Sequence, residues 1–536
     1  MTTPATPSPA SPEDHSEDMS ALAKGGRTNA MGFVIRALGG IPFLFIGYRL
    51  YGVEDMGRFA ATFVIIEIFA LVCALGEKRG LAKRLADGDE NSGVPQSNLV
   101  FDGMLASLAC SLIACVVLLI FPTVIFPSGT NSDFDMWMIA AIPAIALTEI
   151  LLAAQAYKYD IATTVRARAI VEPWTKSIAV GVFFYLLVFL PGFEWAREGG
   201  LALAFLTSVY AALLVALFAF LRTYGLPKHW QPRVKPLLAM SSRALPLVGA
   251  DVIERGTRLI DIFLLGQAAS PAAVGIYFFA KEVATLPQKL KTSFEPILGP
   301  VITKNLKSGN HAAIAAQVRQ VGFWIMALQL GIALALAIPG EAIMGLAGPA
   351  IVGGTGALVI LLAAEVVAST AVVSESVLVY IAKKRNLAMS LGIITLQGAL
   401  TIWFILLAES YGLDDGYKAA GAAIALFIAL GLSSLIKATV LSRLLKAPIG
   451  NWNWGLAWAT APAVLIGFTF TSLPEAVNWI AGFEVVPPFP EWVELTFGVW
   501  TILGVYLFVI WKRVFREEDR VLFGRKIPAP EPVSGD

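Results

Sequence analysis

Residues 200–222 read GLALAFLTSVYAALLVALFAFLR, an unbroken apolar run that meets its first charge only at Arg222. A helix of about 20 such residues matches the roughly 30 Å hydrocarbon core of a bilayer. Residues 421–443 read GAAIALFIALGLSSLIKATVLSR, so the glycine, the alternation of small and large apolar residues and the closing arginine all recur at an offset of 221. A second pair of anchors agrees: Gly57-Arg58-Phe59-Ala60 returns loosely as Gly275-Ile276-Tyr277-Phe278-Phe279-Ala280, at an offset of 218. Two separated anchors on nearly one period point to a duplicated unit. Chance similarity between apolar helices is the competing account.

Composition widens the same reading. Of 536 residues, 57% are hydrophobic and 15% charged, which is too apolar for a soluble enzyme. Fourteen spans of about 20 residues would use most of that apolar content. Spans are expected near 29–50, 59–76, 98–121, 136–157, 167–190, 200–222, 243–266, 273–293, 319–339, 356–380, 387–408, 419–442, 455–473 and 492–511. The fold class is therefore an all-α polytopic membrane protein of about 14 transmembrane helices. Six spans per period give the halves one orientation, so two pseudo-symmetric six-helix bundles form a parallel repeat, with two C-terminal helices added. By domain, residues 1–28 are a disordered cytoplasmic tail rich in Pro, Ser, Thr and acids, and 29–222 the N-terminal bundle. Residues 223–242 are a cytoplasmic linker, 243–446 the C-terminal bundle, 447–513 helices thirteen and fourteen, and 514–536 a cytoplasmic tail.

Net charge is +1, so no overall field recommends nucleic acid. The distribution is informative. With a cytoplasmic N-terminus, and Arg168, Arg222, Arg243, Lys289, Lys291 and Arg319 counted to their loops, 30 of the 40 Lys and Arg fall in cytoplasmic segments, 7 in spans and 3 outside: Arg58, Arg197 and Lys418. That asymmetry sets the orientation and puts both termini in the cytoplasm. Lys78, Arg79, Lys83 and Arg84 in the segment 77–96 suit an amphipathic helix on anionic lipid, although topology alone also demands them. Cys73, Cys110 and Cys115 sit in apolar runs and read as small hydrophobes. His15, His229 and His311 lie outside the spans, which argues against a zinc site or a histidine proton relay.

An ionisable residue at mid-bilayer costs roughly 2.5 to 3.5 kcal/mol, so those present are candidates for function. Span seven is the outlier: Asp251, Glu254, Arg255, Arg258 and Asp261 fall, at about 100° per residue, within an arc of roughly 120°. Lipid exposure could not sustain such a stripe, so it faces protein or a watery cavity. Asp251 with Arg255 and Glu254 with Arg258 are also favourable i,i+4 pairs, which keeps a structural reading open. Arg36 in span one shares a face with Gly39, Gly40 and Gly47, a groove suited to an anion or to a packed helix. Arg36 lies 21 residues before Gly57 and Arg255 lies 20 before Gly275, so the two cations hold near-equivalent places in the halves. Facing each other, they make a candidate diphosphate site. Lys281 with Glu282, and Glu172 with Lys176, are further candidates or local pairs. Glu67, Glu149, Glu365 and Glu375 are intramembrane acids without an evident partner, suited to a coupling proton or sodium. No GxxxxGK[ST] loop, HExxH or Gly-x-Ser-x-Gly elbow is present, no cofactor is implied, and the external pairs Glu54-Asp55 and Asp414-Asp415 are the one hint of glycosyltransferase acids.

Over about residues 29–446 the chain resembles the multidrug/oligosaccharidyl-lipid/polysaccharide (MOP) exporter superfamily, in its polysaccharide-transporter branch of Wzx-type flippases. The resemblance is carried by Leu50-Tyr51-Gly52 through Gly57-Arg58-Phe59-Ala60, by Asp261-Ile262-Phe263-Leu264-Leu265-Gly266 followed by Val274-Gly275-Ile276-Tyr277 and Ala280, and by Tyr411-Gly412 followed by Ala420-Gly421-Ala422-Ala423-Ile424-Ala425. It implies two bundles rocking about a central cavity that carries a polyprenyl-diphosphate-linked oligosaccharide to the outer leaflet of a bacterial inner membrane, for lipopolysaccharide, capsule or exopolysaccharide. Arg36, Arg255, Arg258 and Lys281 stand where the family places diphosphate-binding cations. Asp251, Glu254, Asp261, Glu67, Glu149, Glu365 and Glu375 are the cavity or ion-coupling candidates. Membrane lipid, a proton or sodium, and polysaccharide polymerase machinery are the partners it suggests. Relatives that flip the peptidoglycan precursor often carry Arg one position beyond Lys281, where this chain has Glu282, so the sugar stays unassigned. A cation-coupled small-molecule exporter is the alternative on the same fold, and a membrane glycosyltransferase using Glu54 or Asp55 the alternative of another class.

Overall fold

The computed structural model describes residues 39–516 and 519, apart from 78–79, 83, 87–94, 125–132, 159, 190–194, 228, 232–233, 293–301, 303–304, 307–308, 451–452 and 482–489. The expected tail 1–28, Arg36, and most of 514–536 lie outside these residues. No strand occurs among the described residues. The main helices are α1 (39–51), α2 (Val53–Cys73), α3 (Gln96–Ile120), α4 (Ala141–Tyr157), α5 (Glu172–Phe189), α6 (Trp195–Tyr224) and α7 (Val234–Ala268), then α8 (Pro271–Thr292), α9 (His311–Ala337), α10 (Thr355–Ile381), α11 (Lys383–Ser410), α12 (Asp415–Leu445), α13 (Trp454–Thr471) and α14 (Val499–Val509).

Among the described residues, ten helical stretches are long and apolar enough to cross a membrane, which makes this a multi-pass membrane protein. The other expected spans fall on α1, α5, α7 and α8. Charge accounts for two of them, since α7 and α8 carry the stripe from Asp251 to Asp261 and the pair Lys281-Glu282. An apolar outer face runs along α3, where Leu112, Ile113, Val116, Leu119 and Ile120 are all exposed. A soluble monomer rarely leaves so continuous an apolar face to water.

The chain divides into two compact units. The first comprises residues 32–279 with 398–422. Within it α4 and α5 both pack on α6, and α2 packs on α4 and α7. One of its cores closes around Ile150, Leu151, Ala212, Ala216 and Phe220. The repeat alanines let α4 and α6 approach closely, as small residues do where lipid supplies no hydrophobic drive. The second unit comprises residues 280–397 with 423–536, preceded in sequence by 1–31. Its core gathers Trp324 from α9 with Val373 and Val377 from α10, Leu441 from α12, Leu456 and Ala459 from α13, and Ile502 and Tyr506 from α14. The two helices left over by the repeat thus help to fill this core. Tyr506 donates its hydroxyl to the Ala327 carbonyl at 2.8 Å, and its ring fills the space beside Gly331.

Glycine decides two features. Gly52 adopts φ +91°, a conformation L side chains avoid, and it alone separates α1 from α2. The repeat anchors Gly57 and Gly275 meet directly inside the first unit. A Cβ on Gly57 would run into the Pro271 carbonyl oxygen, and one on Gly275 into the Val53 carbonyl oxygen. The two contacts are reciprocal. Val53 precedes Gly57, and Pro271 precedes Gly275, by the same four residues. Tyr48 seals the crossing by donating to the Gly275 carbonyl at 2.6 Å. In α1, Gly39 is covered by Trp174 and Gly47 by the Met56 sulfur, while nothing approaches Gly40. The expected groove is therefore a packing seam at two of its three glycines.

Candidate functional site in the first unit

The local sequence builds a charged cluster from α2, α4, α5, α7 and one irregular turn. Residues Val165–Val171 form a π-helical segment leading into α5. The wider turn re-phases the side chains that follow, a distortion found most often at functional positions. Here it carries Arg168, whose Nη2 lies 2.5 Å from Glu149 Oε1 on α4 and whose Nη1 lies 2.7 Å from Glu172 Oε2 on α5. One guanidinium thus spends its fork on two carboxylates. Beside it, Arg255 Nη2 on α7 donates to Glu67 Oε1 on α2 at 3.0 Å. Arg255 also feels the charges of Glu149 and Arg168, so the three ion pairs form one electrostatic cluster. The Arg255 side chain is 51% exposed and Glu67 20%.

Three acids expected without a partner have one. Glu67 is held by Arg255, Glu149 by Arg168, and Glu375 on α10, in the second unit, by Lys437 on α12 at 3.0 Å. Lys437, only 5% exposed, also donates to Ser390 on α11 at 3.2 Å. Glu365 is buried on α10 and already interacts with a neighbouring group. Asp261 is fully buried. It accepts the Tyr277 hydroxyl at 2.6 Å and the Ile262 N–H at 2.8 Å, so it pins α7 to α8. Arg258 and Lys281 are half-buried, each with an interaction of its own, and Lys281 belongs to the second unit. The side chains of Asp251 and Glu254, like Arg36, lie outside the described residues.

Arg168 is the participant that sequence reading missed. It sits at the edge of span five and reads as a loop cation, and only the π turn reveals its inward phase. Glu172, paired on paper with Lys176, is held by Arg168, and Lys176 lies 4.3 Å over the Phe43 ring. Of the glycosyltransferase candidates, Asp55 is ion-paired to Arg58 and Asp415 accepts the Ser270 hydroxyl at 2.6 Å. Both are in structural use.

The helical architecture is one found among solved transporters, including a MATE family member of the MOP superfamily. The chain aligns over 80% of its length, and 98% of the other, with the Vibrio cholerae MATE transporter VcmN in its bent form, at 12% identity and TM-score 0.54. It aligns with an inward-facing multidrug resistance MATE family transporter over 80% and 95% of the two chains, at 15% identity and TM-score 0.56. With the lipid II flippase MurJ in an inward closed conformation it aligns over 91% and 100%, at 13% identity and TM-score 0.62. At such identities the likeness is one of fold. No curated protein matches it in sequence. The model of the polysaccharide biosynthesis protein family matches residues 22–306, just over half the chain, and the chain belongs to that family.

Proposed function

We propose that the protein is a flippase that carries a polyprenyl-diphosphate-linked oligosaccharide from the cytoplasmic to the outer leaflet of a bacterial inner membrane, for lipopolysaccharide, capsule or exopolysaccharide. Arg255 carries the reading. A half-exposed arginine side chain on a membrane helix, with a single carboxylate partner among the described residues, has guanidinium donors to offer a diphosphate. Family membership supports a polysaccharide cargo, and MurJ, which shares the fold, is a lipid II flippase. Arg36, Arg258 and Lys281 are the further cations assigned to the diphosphate, with residues 29–222 and 243–446 as the bundles that alternate access.

The test is headgroup accessibility of an undecaprenyl-diphosphate oligosaccharide in sealed proteoliposomes. Transfer between leaflets is expected with the wild type and is expected to fall at least about tenfold in Arg255→Ala, a loss of roughly 1.4 kcal/mol of binding. Equal transfer by the variant overturns the assignment. A second reading, a cation-coupled exporter of small molecules, is favoured by the excess of acid in the cluster, three glutamates to two arginines. Drug efflux that survives Arg255→Ala, with no transfer of any glycan lipid, supports it.

A further inference from the structure

We propose that Cys73 and Cys110 form a redox-active dithiol, a modification site that a lipid-soluble hydroperoxide closes to a disulfide between α2 and α3. In the sequence the three cysteines read as small hydrophobes, and the fold brings them together. Cys73 ends α2, Cys110 lies midway along α3, and their thiols share a hydrogen bond across the two helices. Cys115 is next in reach of Cys73 but donates to the Ile139 carbonyl at 3.5 Å. All three are unbridged. The pairing of helices agrees: Glu77, four residues after Cys73, lies beside Gly103, and Cys110 follows Gly103 by seven residues. A disulfide needs its Cα atoms within about 7 Å of each other. The buried face of α3 includes Gly103, Ser107 and Ser111, residues small enough to allow so close an approach.

The surroundings select the oxidant and the order of events. Cys73 is only 1% exposed, so no reagent meets it first. Cys110 is half-buried and precedes the exposed Ile113 and Val117 by three and seven residues, which sets it at the border of the apolar outer face of α3. An oxidant reaching it therefore arrives through an apolar layer, and an uncharged hydroperoxide carried on a lipid is of that class. Attack of the Cys110 sulfur on the terminal hydroperoxide oxygen forms an S–O bond and breaks the O–O bond, and the thiol proton leaves with the alkoxide as an alcohol. The Cys73 sulfur then displaces the hydroxyl of the Cys110 sulfenic acid, forming the S–S bond and breaking the S–O bond, while its own proton completes a water molecule. Two thiols are oxidised, and one hydroperoxide is reduced to an alcohol and water. The bond fastens the end of α2, six residues beyond Glu67, to the middle of α3.

Treatment of the full chain in phospholipid proteoliposomes with cumene hydroperoxide tests this. Free thiols per chain, counted after denaturation, are expected to fall from three to one and to return with dithiothreitol. Peptide mapping is expected to place the bond between Cys73 and Cys110, and the oxidised protein to melt several degrees above the reduced one. Cys115→Ala is expected to cross-link as the wild type does, and Cys73→Ala to stop at a sulfenic acid on Cys110 that dimedone traps. Should Cys73→Ala fail to fold, the wild-type map decides alone. Three thiols surviving the treatment, a bond that uses Cys115 or joins two chains, or thiol loss without any bond overturns the inference. Closure is expected to be faster with cumene hydroperoxide than with equimolar hydrogen peroxide, and the reverse order overturns the route through the apolar layer.

Discussion

Arg168 shows how far a single side chain can govern a membrane interior. Removing it would strand the partly buried Glu149 and Glu172, at a cost below the roughly 3 to 5 kcal/mol typical of breaking one side of a fully buried pair. Arg168→Ala is therefore expected to lower the melting temperature of the detergent-solubilised protein by several degrees, and the triple substitution with Glu149→Gln and Glu172→Gln to recover much of the loss. A triple variant no more stable than the single one would contradict the pairing. Asp160, in the loop before the π segment, gives a pH-dependent counterpart. It accepts the Thr163 N–H at 3.1 Å and the Thr163 hydroxyl at 2.6 Å, and these bonds hold its carboxyl below the usual range. A depressed carboxylate contributes its stability above its unfolded-state value and loses it as pH falls through the folded one. The protection factor of the Thr163 amide should accordingly fall as pH drops through the carboxyl's lowered range, and Asp160→Asn should weaken that dependence.

Helices make their demands through spacing. Gly57 and Gly275 sit where α2 and the start of α8 cross with no room for a methyl, so either Gly→Ala change is expected to cost about 1 to 3 kcal/mol. Gly40→Ala, with open space around it, should stay within about 0.5 kcal/mol of wild type. Chemical melts of the three variants decide it. Much of this level was legible in the sequence, because apolar runs and their interruptions report directly on which residues meet lipid. Gly57 and Gly275 stood out through their repetition, and Asp261 and Tyr277 belonged to one motif before they proved to share a hydrogen bond. The cluster was less legible. Periodicity places Arg255 and Glu67 in spans but says nothing of their meeting across 188 residues, and a regular 3.6-residue phase mislays Arg168, because the π turn that redirects it leaves no mark in composition.

For the whole chain, the last two helices matter more than a count of repeats implies. α13 and α14 pack on each other and on α9, and beyond them Asp519 accepts hydrogen bonds from Trp324 Nε1 at 2.9 Å and from Gln320. Ending the chain at about residue 446 would bare one flank of the second unit's core. The shortened protein is expected to give little or no monodisperse material on size exclusion, whereas Tyr506→Phe, which loses one hydrogen bond, should cost about 1 kcal/mol and keep its elution position. The reciprocal contact at Gly57 and Gly275 carries an evolutionary consequence. When residue i of one copy touches residue j of the other, and j touches i, the contact has the form of a homodimer interface. Gene duplication and fusion would then have tethered two subunits that already fitted each other. Selection at the crossing acts on two codons at once, so a side chain gained at either glycine calls for space conceded by the opposite helix.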